Sequence, residues 1–422
     1  MNNSKEKKMQ ARQQTVQTGD ASGRGTVGGF KVPFPAKMQP YTKEEINAVV
    51  EVMAESGCQT QGQRLKRFEE DFKTYIGADH AFAVDNCTNA LRLAGIVCSL
   101  TTVDEVIIPA YTFCATAIPF GMTGAKIVWA DIDKDTWVID PNDVKRKITE
   151  RTKVIVVVHL LGMPVNMPAI MEIAEKYNLR VVEDCAQAPG AAINGRKVGT
   201  FGDFGCFSFQ SAKNMTTLGE GGMLTVKSED DAKLIPGLRH NGCRPFEGDR
   251  SRYWVPAMSN VDRDMEGTWP NNFCIGEAQC ALGSAALKTL DNTNDTLFAQ
   301  AEKIKAALAD TPQISFAKIP EGYKHIFHQF VLHFDGPSFG TDRNDLMDIL
   351  VNQYKIRSIV QYYPLYRYPL FQKMGFGQHD CPVLENWWDS SFSFPWCSGM
   401  TDETIDYLVD STKAAISKLK NA

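Results

Sequence analysis

The stretch RVVEDCAQAPGA (residues 180–191), followed closely by FGCFSFQSAKNMTTLGEGG (204–222), decides the fold. Each begins with a short run of apolar, β-branched or aromatic residues and continues into small and polar ones, which predicts a strand and then a loop. Five more such runs alternate with helical patterns: AFAV (81–84), EVIIPA (105–110), KIVWAD (126–131), KVIVVVH (153–159) and GMLTV (222–226). Near-continuous apolar strands separated by helices predict an α/β fold with a mostly parallel sheet covered on both faces.

Helices are predicted to begin near Thr88, Pro141 and Met167, and an earlier one follows Thr42. Thr42 and Glu45 have the spacing of a capping box, in which each side chain bonds the other's backbone N–H. The apolar residues after this box recur at helical spacing and predict one buried face. They are Ile46, Val49, Val50 and Met53.

Past about residue 285 the pattern changes. Helical patterns at 292–309 and 343–354, a strand-like HQFVLHF (328–334) and a final helix from Asp402 predict a smaller α+β unit. We therefore expect three parts: a polar, disordered tail over 1–28, a large α/β domain over 29–284, and a small C-terminal α+β domain over 285–422.

The 422 residues are 43% hydrophobic and carry a net charge of −5, so a sizeable core is expected and a nucleic-acid or anionic-membrane surface is not. The most apolar run, VIVVVHLLGMPV (154–165), is too short to span a bilayer, and the N-terminus has no apolar signal segment. None of the eleven cysteines forms a C-x-x-C pair, which favours reduced thiols. A cytoplasmic protein is the expectation.

Polar residues follow three of the predicted strands, where the ligands of such sheets bind. Asp184 ends one strand, Lys213 follows another by four residues, and DNCTNAL (85–91) leads from a third into a helix. Pyridoxal 5'-phosphate (PLP) needs a lysine for a Schiff base, a carboxylate for its pyridine nitrogen and helix-start donors for its phosphate. The three features together therefore predict a PLP site.

Each feature also has a plainer interpretation. Lys213 could be a solvated surface lysine, and Asp184 could cap a helix or pair with Arg180 or Arg196. Thr88 can cap a helix beginning at Asn89 without any phosphate nearby, and Phe113 alone reads as a core aromatic.

The two central stretches, VVEDCAQAPGA (181–191) and GTFGDFGCFSFQSAKNMTTLGEGGML (199–224), resemble the DegT/DnrJ/StrS family of PLP-dependent sugar aminotransferases of fold type I. Weaker matches extend over almost the whole chain after the tail. They are CQTQGQRLKRFEEDF (58–72), IIPAYTFCATA (107–117), VVHLLGMPVNM (157–167), GLRHNG (237–242), NNFCIGEAQCALG (271–283) and FSFPWCSGMTDE (392–403).

The resemblance implies a role for each matching position. Lys213 would form the Schiff base, Asp184 would pair with the pyridine nitrogen, and Gln187 would lie near the ring's phenolic oxygen. It also implies further cofactor contacts: Phe113 stacked on the ring, and Cys87, Thr88 and Ser208 on the phosphate, with Asn272 reaching the phosphate of the partner subunit. A homodimer with shared active sites is implied too, with glutamate or glutamine as the amino donor and a keto sugar or cyclitol as the acceptor.

The chain departs from the family pattern in three places. Cys87 stands where the family's phosphate turn usually has glycine, and Cys274 stands where many relatives have arginine. The stretch QYYPLYRYPLF (361–371) lacks a histidine that is frequent in members acting on nucleotide-linked sugars. This stretch, with Gln210 and Glu277, favours free cyclitols such as scyllo-inosose, or an aminohydroxybenzoate-synthase-like reaction. Nucleotide-linked keto sugars remain the alternative.

Other classes fit less well. Related dehydratases carry histidine in place of the lysine, and a noncatalytic regulatory protein on this scaffold could lose both Lys213 and Asp184. A nicotinamide enzyme needs its glycine motif directly after a strand, whereas LGEGG (218–222) precedes one. His325 and His328 could be metal ligands, but without further ligands nearby they are expected to be strand residues, and no metal is predicted.

Overall fold

The computed structural model describes residues 29–35, 37–55, 57–243, 260–263 and 265–420. The predicted tail over 1–28 lies outside the described residues. The helices, in chain order, are α1 (Lys43–Ala54), α2 (Gln63–Ile76), α3 (Cys87–Val97), α4 (Ile118–Gly121), α5 (Pro141–Lys147), α6 (Met167–Tyr177), α7 (Glu229–Arg239), α8 (Glu277–Leu287), α9 (Leu290–Ala307), α10 (Arg343–Asn352), α11 (Pro369–Lys373), α12 (Pro382–Trp388) and α13 (Asp402–Lys420).

The strands, in the same order, are β1 (His80–Val84), β2 (Glu105–Pro109), β3 (Lys126–Ala130), β4 (Thr152–Val158), β5 (Arg180–Asp184), β6 (Ala192–Ile193), β7 (Arg196–Lys197), β8 (Phe204–Ser208), β9 (Gly222–Val226), β10 (Ile314–Ser315), β11 (Tyr323–Lys324), β12 (Val331–Phe334) and β13 (Ser391–Ser393).

Seven of these strands form the central sheet in the order β1-β9-β8-β5-β4-β2-β3. The pairs from β8 through β3 are parallel, and only β9 runs against its two neighbours. All seven strands predicted from the sequence are present to within one residue at each end. The predicted α/β fold with a mostly parallel sheet is confirmed.

Three hydrophobic cores hold the described residues together. The first surrounds the central sheet, in which every residue of β2 and β8 is buried, and the third, which includes Phe68 and Phe207, packs α2 and α8 against the same sheet. The second is formed mainly by residues between Leu297 and Ile416, on β12, β13 and the helices around them. Val32 and Met38 from the N-terminal segment also pack into this second core, whereas Leu365 and Trp387 join the first. The predicted boundary between 284 and 285 stays a prediction.

The N-terminal segment before α1 is held at two points by the C-terminal part of the chain. The backbone N–H groups of Lys31 and Val32 donate to the carbonyl of Lys355, and that of Arg357 donates to Val32. Farther along, the backbone and hydroxyl of Ser398 both donate to the carbonyl of Met38, each at 3.1 Å. The segment is therefore anchored to the C-terminal part of the chain at both Val32 and Met38.

The helix α1 begins as predicted, but its apolar side, which was expected to be buried, is exposed. The hydroxyl of Thr42 accepts from Glu45 N–H at 3.2 Å and the Glu45 carboxylate accepts from Thr42 N–H at 2.8 Å, which completes the capping box. Ile46, Val50 and Met53 are 50%, 54% and 74% exposed, so the prediction that this side is buried is wrong. The helix packs on α8 through another side, which carries the buried Val52.

In the C-terminal part, the helices predicted at 292–309, 343–354 and from Asp402 are present as α9, α10 and α13. The strand predicted over 328–334 begins only at Val331. All eleven cysteines are free thiols, as predicted. Across the described ranges, no helix is both long enough and apolar enough to cross a membrane.

Candidate active site

The carboxyl ends of β1, β5 and β8 lie at one edge of the central sheet. Asp184 is opposite Cys206 in the register of β5 and β8, and Ser208 is opposite Gly222, which in turn is opposite Val84. The loops that follow these strands therefore start side by side. They carry the acid, the lysine and the helix start that the sequence singled out.

Asp184 is buried and its carboxylate accepts two hydrogen bonds. The hydroxyl of Thr116 donates to Oδ2 at 2.7 Å, and the backbone N–H of Ala186 donates to Oδ1 at 3.0 Å. Burial raises the pKa of Asp184, because a desolvated carboxylate is costly, while the two donors and the charge of Lys213 act to lower it. The site would stabilise the anion further if a cation were placed against it.

The plainer interpretations of Asp184 are wrong. Arg180 pairs with Asp231 and, more distantly, with Asp203, and Arg196 donates to Thr200. Asp184 ends a strand and caps no helix.

Lys213 lies in the loop between β8 and β9 and is partly buried. Its backbone N–H donates to the carbonyl of Gln210 at 2.9 Å, and the following Asn214 is buried. Burial raises the pKa values of Asp184, Cys87 and Glu220, and the positive charge of Lys213 acts against that rise in all three. The lysine thus lies within electrostatic reach of the acid at the sheet edge.

The helix α3 starts at the same edge, but Thr88 does not cap it. Asn86 is the N-cap, and its Oδ1 accepts from Asn89 N–H at 2.9 Å, so the predicted Thr88 cap is wrong. The reason is local: the helix begins two residues earlier, at Cys87, which makes Thr88 its second residue. The N–H groups of Cys87 and Thr88 have no acceptor within the helix, as at any helix start.

Gly222 lies directly behind this helix start. A Cβ at Gly222 would lie 2.6 Å from the carbonyl carbon of Asn86 and 2.8 Å from the nitrogen of Cys87, closer than real Cβ atoms come. Only glycine lets β9 pack so closely against the turn. The thiol of Cys87 itself is buried, which raises its pKa well above the usual range.

The side-chain amide of Gln187 is held at both ends. Its Oε1 accepts from Leu161 N–H at 2.7 Å, and its Nε2 donates to the hydroxyl of Tyr362 at 3.0 Å. The side-chain amide of Gln329 lies 3.3 Å from the same hydroxyl. Tyr362, which is far along the chain, thus helps to fix the side chain of Gln187, three residues after Asp184.

Phe113 is not a core aromatic: its side chain is 52% exposed, between the end of β2 and the short turn that carries Thr116. Its ring centroid lies 5.9 Å from that of Tyr362. Ser208 is buried at the end of β8 and its hydroxyl accepts weakly from Gln210 N–H at 3.4 Å. Both residues are at the edge that carries Asp184.

Asn272 is exposed and pairs through its backbone with His240. The carbonyl of its neighbour Phe273 accepts from Asp85 N–H at 3.1 Å, so the segment runs beside the turn before α3. The Oδ1 of Asn272 accepts from the backbone N–H of Cys274 at 3.3 Å.

The two histidines of HIFH lie in the segment before β12, not in a strand as predicted. The ring of His325 stacks on Phe327, and His328 Nδ1 lies 2.9 Å from Asn214 Oδ1. Another buried group, His159, Glu183 and Cys185, has ligand atoms close enough for a metal ion. However, Glu183 already accepts from the backbone N–H groups of Gly199, Phe201 and Gly202 and contacts His159, which accounts for its charge without a metal.

Thr116 and Tyr362 were not singled out from the sequence. Thr116 lies three residues after Phe113, so the polar run around AYTFCAT could have drawn attention to it. Tyr362 lies within QYYPLYRYPLF, but nothing local in that stretch indicates that its hydroxyl meets Gln187.

The chain is similar to known proteins over most of its length. The model of the DegT/DnrJ/EryC1/StrS aminotransferase family matches residues 40–413. The spore coat polysaccharide biosynthesis protein SpsC of Bacillus subtilis is 34% identical, covering 90% of this chain and 96% of that protein. A UDP-N-acetyl-3-dehydro-alpha-D-glucosamine 3-aminotransferase of Acidithiobacillus ferrooxidans is 31% identical, covering 89% of this chain and 94% of the relative.

Among solved structures, the aminotransferase from Psychrobacter cryohalolentis superposes with a TM-score of 0.83 at 28% identity, covering 93% of this chain and all of that one. The sequence match, the shared fold and the acid and lysine at the carboxyl edge of the sheet agree. This chain belongs to the DegT/DnrJ/EryC1/StrS aminotransferase family and is a PLP-dependent aminotransferase.

Proposed function

We propose that this chain transfers an amino group from glutamate or glutamine to the ketone of a sugar, with PLP held between Lys213 and Asp184. The observation that carries the proposal is the buried, hydrogen-bonded carboxylate of Asp184 at the end of β5, beside the strand β8 whose following loop carries Lys213. A buried acid and an amine within reach of it supply the two functional groups that the reaction needs from the protein.

The residues at this edge fit PLP. The close approach of Gly222 fixes the turn whose N–H groups, at Cys87 and Thr88, lead into α3. A helix start of this kind favours an anion. We assign the phosphate to Cys87, Thr88 and Ser208, together with Asn272 of the partner subunit.

PLP, when bound, supplies an electron-accepting ring that stabilises negative charge at the Cα of the amino donor. The carboxylate of Asp184 would keep the proton on the ring nitrogen, because Thr116 and the Ala186 N–H group stabilise the charged form of the acid in its buried position. The ring is thereby kept positive where the electrons are needed.

Lys213 moves the proton. The amine of Lys213 would take the proton from the donor's Cα and hold it beside the bound cofactor. Hydrolysis by water would release the keto acid, the ketone substrate would enter the same space, and Lys213 would return a proton in the opposite direction. This order predicts ping-pong kinetics.

Gln187 and Phe113 would position the ring. Because Leu161 and Tyr362 hold the Gln187 amide at both ends, it offers a fixed contact beside the ring oxygen. The exposed ring of Phe113 offers a flat apolar surface for stacking.

A homodimer is part of the proposal. Ile46, Val50 and Met53 form an exposed apolar stripe along α1, which we call the α1 stripe. A monomer gains nothing from such a stripe, whereas a second copy would bury it. Asn272 is likewise exposed, as a residue serving the partner's site would be before assembly.

For the acceptor, we propose a nucleotide-linked keto sugar. Relatives over most of the chain's length are named for such substrates, including the UDP-sugar 3-aminotransferase and, at 30% identity, a GDP-perosamine synthase of Caulobacter vibrioides. A free cyclitol is the second candidate. It is favoured by Gln210, Glu277 and the stretch 361–371, in which nucleotide-sugar members often carry a histidine and this chain has none.

The cofactor test is borohydride reduction followed by mass spectrometry. We expect PLP to become attached to Lys213, and to find no adduct in Lys213→Ala. Lys227→Ala, which changes an exposed lysine just after β9, should behave like the wild type. A wild-type protein without an adduct on Lys213 would contradict the aminotransferase assignment of the site.

The acceptor test uses the amine-loaded form of the enzyme with three ketones: a nucleotide-linked keto sugar, a free keto sugar and scyllo-inosose. Return of the cofactor's PLP absorbance with the nucleotide-linked ketone alone supports the first candidate. Return with scyllo-inosose alone would replace it with the cyclitol.

A further inference from the structure

A crevice lies between the N-terminal segment and the second core, beside the loop of Lys213. It has about 380 Å³ of empty space, including its open mouth. The residues used below, all of which line it, are Lys37, Met38, Ala212, Gln329, Ser393 and Trp396.

The crevice adjoins the reacting lysine. Ala212, the residue directly before Lys213, forms part of its wall, and Met38 lines both the crevice and a smaller pocket that contains Lys213. The loop is also tied to the crevice by His328, another lining residue, whose Nδ1 lies 2.9 Å from Asn214 Oδ1. A molecule bound in the crevice would thus lie next to the loop that carries the amine.

Two buried polar side chains line the crevice and have unused hydrogen-bonding groups. Gln329 is 8% exposed and Ser393 is 1% exposed. Neither the Oε1 of Gln329 nor the Oγ of Ser393 has a hydrogen-bond partner among the described residues. Leaving such groups unpaired costs free energy, which a ligand could recover.

The neighbours of Gln329 indicate which end of its amide faces the crevice. Gln187 Oε1 accepts from Leu161, so Gln187 Nε2 must donate to Tyr362, whose oxygen acts as acceptor. A half-turn of the Gln329 amide lets the Tyr362 hydroxyl donate to its oxygen, with the same heavy-atom positions. The NH₂ group of Gln329 then faces the crevice.

With this orientation the crevice presents donors. The side chains of Gln329 and Ser393 line it, and so does that of Lys37, whose ammonium group lies 3.8 Å from the centre of the Tyr41 ring. The lining residues among those described include no carboxylate, and Met38 and Trp396 contribute apolar wall. The indole N–H of Trp396 already donates to the carbonyl of Phe327 at 2.7 Å.

We propose that this crevice binds a carboxylate of the amino donor, with Gln329 and Ser393 as its hydrogen-bond donors. The inference rests on the proposed aminotransferase reaction and names the donor subsite of the same active site. Gln329 would then connect the donor subsite to the cofactor site, because its amide also contacts the Tyr362 hydroxyl that holds Gln187.

The direct test is calorimetric titration of the PLP-loaded enzyme with glutarate, a dicarboxylate with no amine to react. We expect the wild type to bind it, and Gln329→Met and Ser393→Ala each to bind about tenfold or more weakly, as for loss of a hydrogen bond to a charged group. Gln372→Met, which changes an exposed glutamine, is the matched control.

The second readout is kinetic. The KM for L-glutamate should rise in both variants by a larger factor than the KM for the ketone substrate, because the ketone lacks the carboxylate that Gln329 and Ser393 would bind. If Gln329→Met fails to fold, Ser393→Ala, a smaller change, still gives both readouts.

The outcomes separate the two proposals. Absence of glutarate binding to the wild type, or equal binding to wild type and variants, overturns the donor subsite while borohydride trapping on Lys213 leaves the aminotransferase intact. Absence of trapping overturns the aminotransferase proposal itself.

Discussion

The hydroxyl of Thr116 donates to Oδ2 of Asp184 at 2.7 Å, inside the protein and at the end of a buried strand. Because Asp184 is buried, each such donor contributes to keeping the carboxylate charged. A hydrogen bond to a charged group is worth about 1.5 to 3 kcal/mol.

We predict that Thr116→Val raises the pKa of Asp184, since it removes a donor that lowers it. The ring nitrogen would then lose its anionic partner at a higher pH, and the acid limb of the rate profile of the glutamate half-reaction should move upward. Turnover near neutral pH should fall about tenfold or more. Thr116→Ser keeps the hydroxyl and should retain the wild-type profile, whereas a wild-type profile in the valine variant would refute the prediction.

The free energy of unfolding of the cofactor-free protein should depend on pH in a way that shows the cost of burying the Asp184 carboxylate. Its pKa in the folded state is raised above the ordinary value of 3.8, so the folded state binds the proton more tightly than the unfolded state. Stability is therefore lost as pH rises from near 4 through the raised pKa, by at most about 1.4 kcal/mol per pH unit for one proton.

We expect Asp184→Asn to remove this loss, so that the variant without PLP is more stable than the wild type at neutral pH while being catalytically impaired. Urea unfolding from pH 4 to 7 measures how the free energy of unfolding of each protein changes with pH. Asp230→Asn changes a side chain that is 94% exposed and should leave the pH dependence as it is. An Asp184→Asn protein with an unchanged slope would count against the buried, destabilised carboxylate.

Gly222→Ala should weaken PLP binding. The added Cβ would meet the Asn86–Cys87 peptide at 2.6 to 2.8 Å and force the turn away, at a cost of about 1 to 3 kcal/mol. Absorbance titration with PLP measures the affinity. Gly57→Ala, where a Cβ would meet nothing within 4 Å, is the matched control. Equal PLP affinity in both variants would show that the turn tolerates the displacement.

Met53→Glu should break the proposed dimer, because the side chain is 74% exposed in one chain and a charge in an apolar contact is costly to bury. Sedimentation equilibrium of the wild type and the variant measures the subunit state. Asn47→Glu adds the same charge on α1 outside the stripe. If Met53→Glu sediments like the wild type, the α1 stripe is not the contact.

The central sheet was predictable because its strands are buried on both faces and read as continuous apolar runs, as in KVIVVVH and FGCFSF. The positions of Asp184 and Lys213 followed from the rule that loops meet at the carboxyl edge. The assigned roles of the cofactor-binding residues stay predictions until the adduct and binding experiments are done.

Two local predictions failed for reasons that lie outside local sequence. The spacing of Ile46, Val50 and Met53 correctly indicates an apolar side of a helix, but spacing cannot say whether that side faces its own core. Thr88 and Asn86 are both good capping residues, and only the position where β1 ends decides which one is used. Tyr362 reaches Gln187 through tertiary packing alone.

The N-terminal segment that forms one wall of the crevice also limits when the site can form during synthesis. Its anchor at Met38 is bonded to Ser398, 360 residues later. During synthesis this segment leaves the ribosome well before residues 355 and 398, so neither of its two anchoring points exists when it emerges. The space beside Lys213 therefore receives this wall only after Ser398 has been made, and a product that stops short of Ser398 can contain the central sheet and the lysine while lacking the enclosed site.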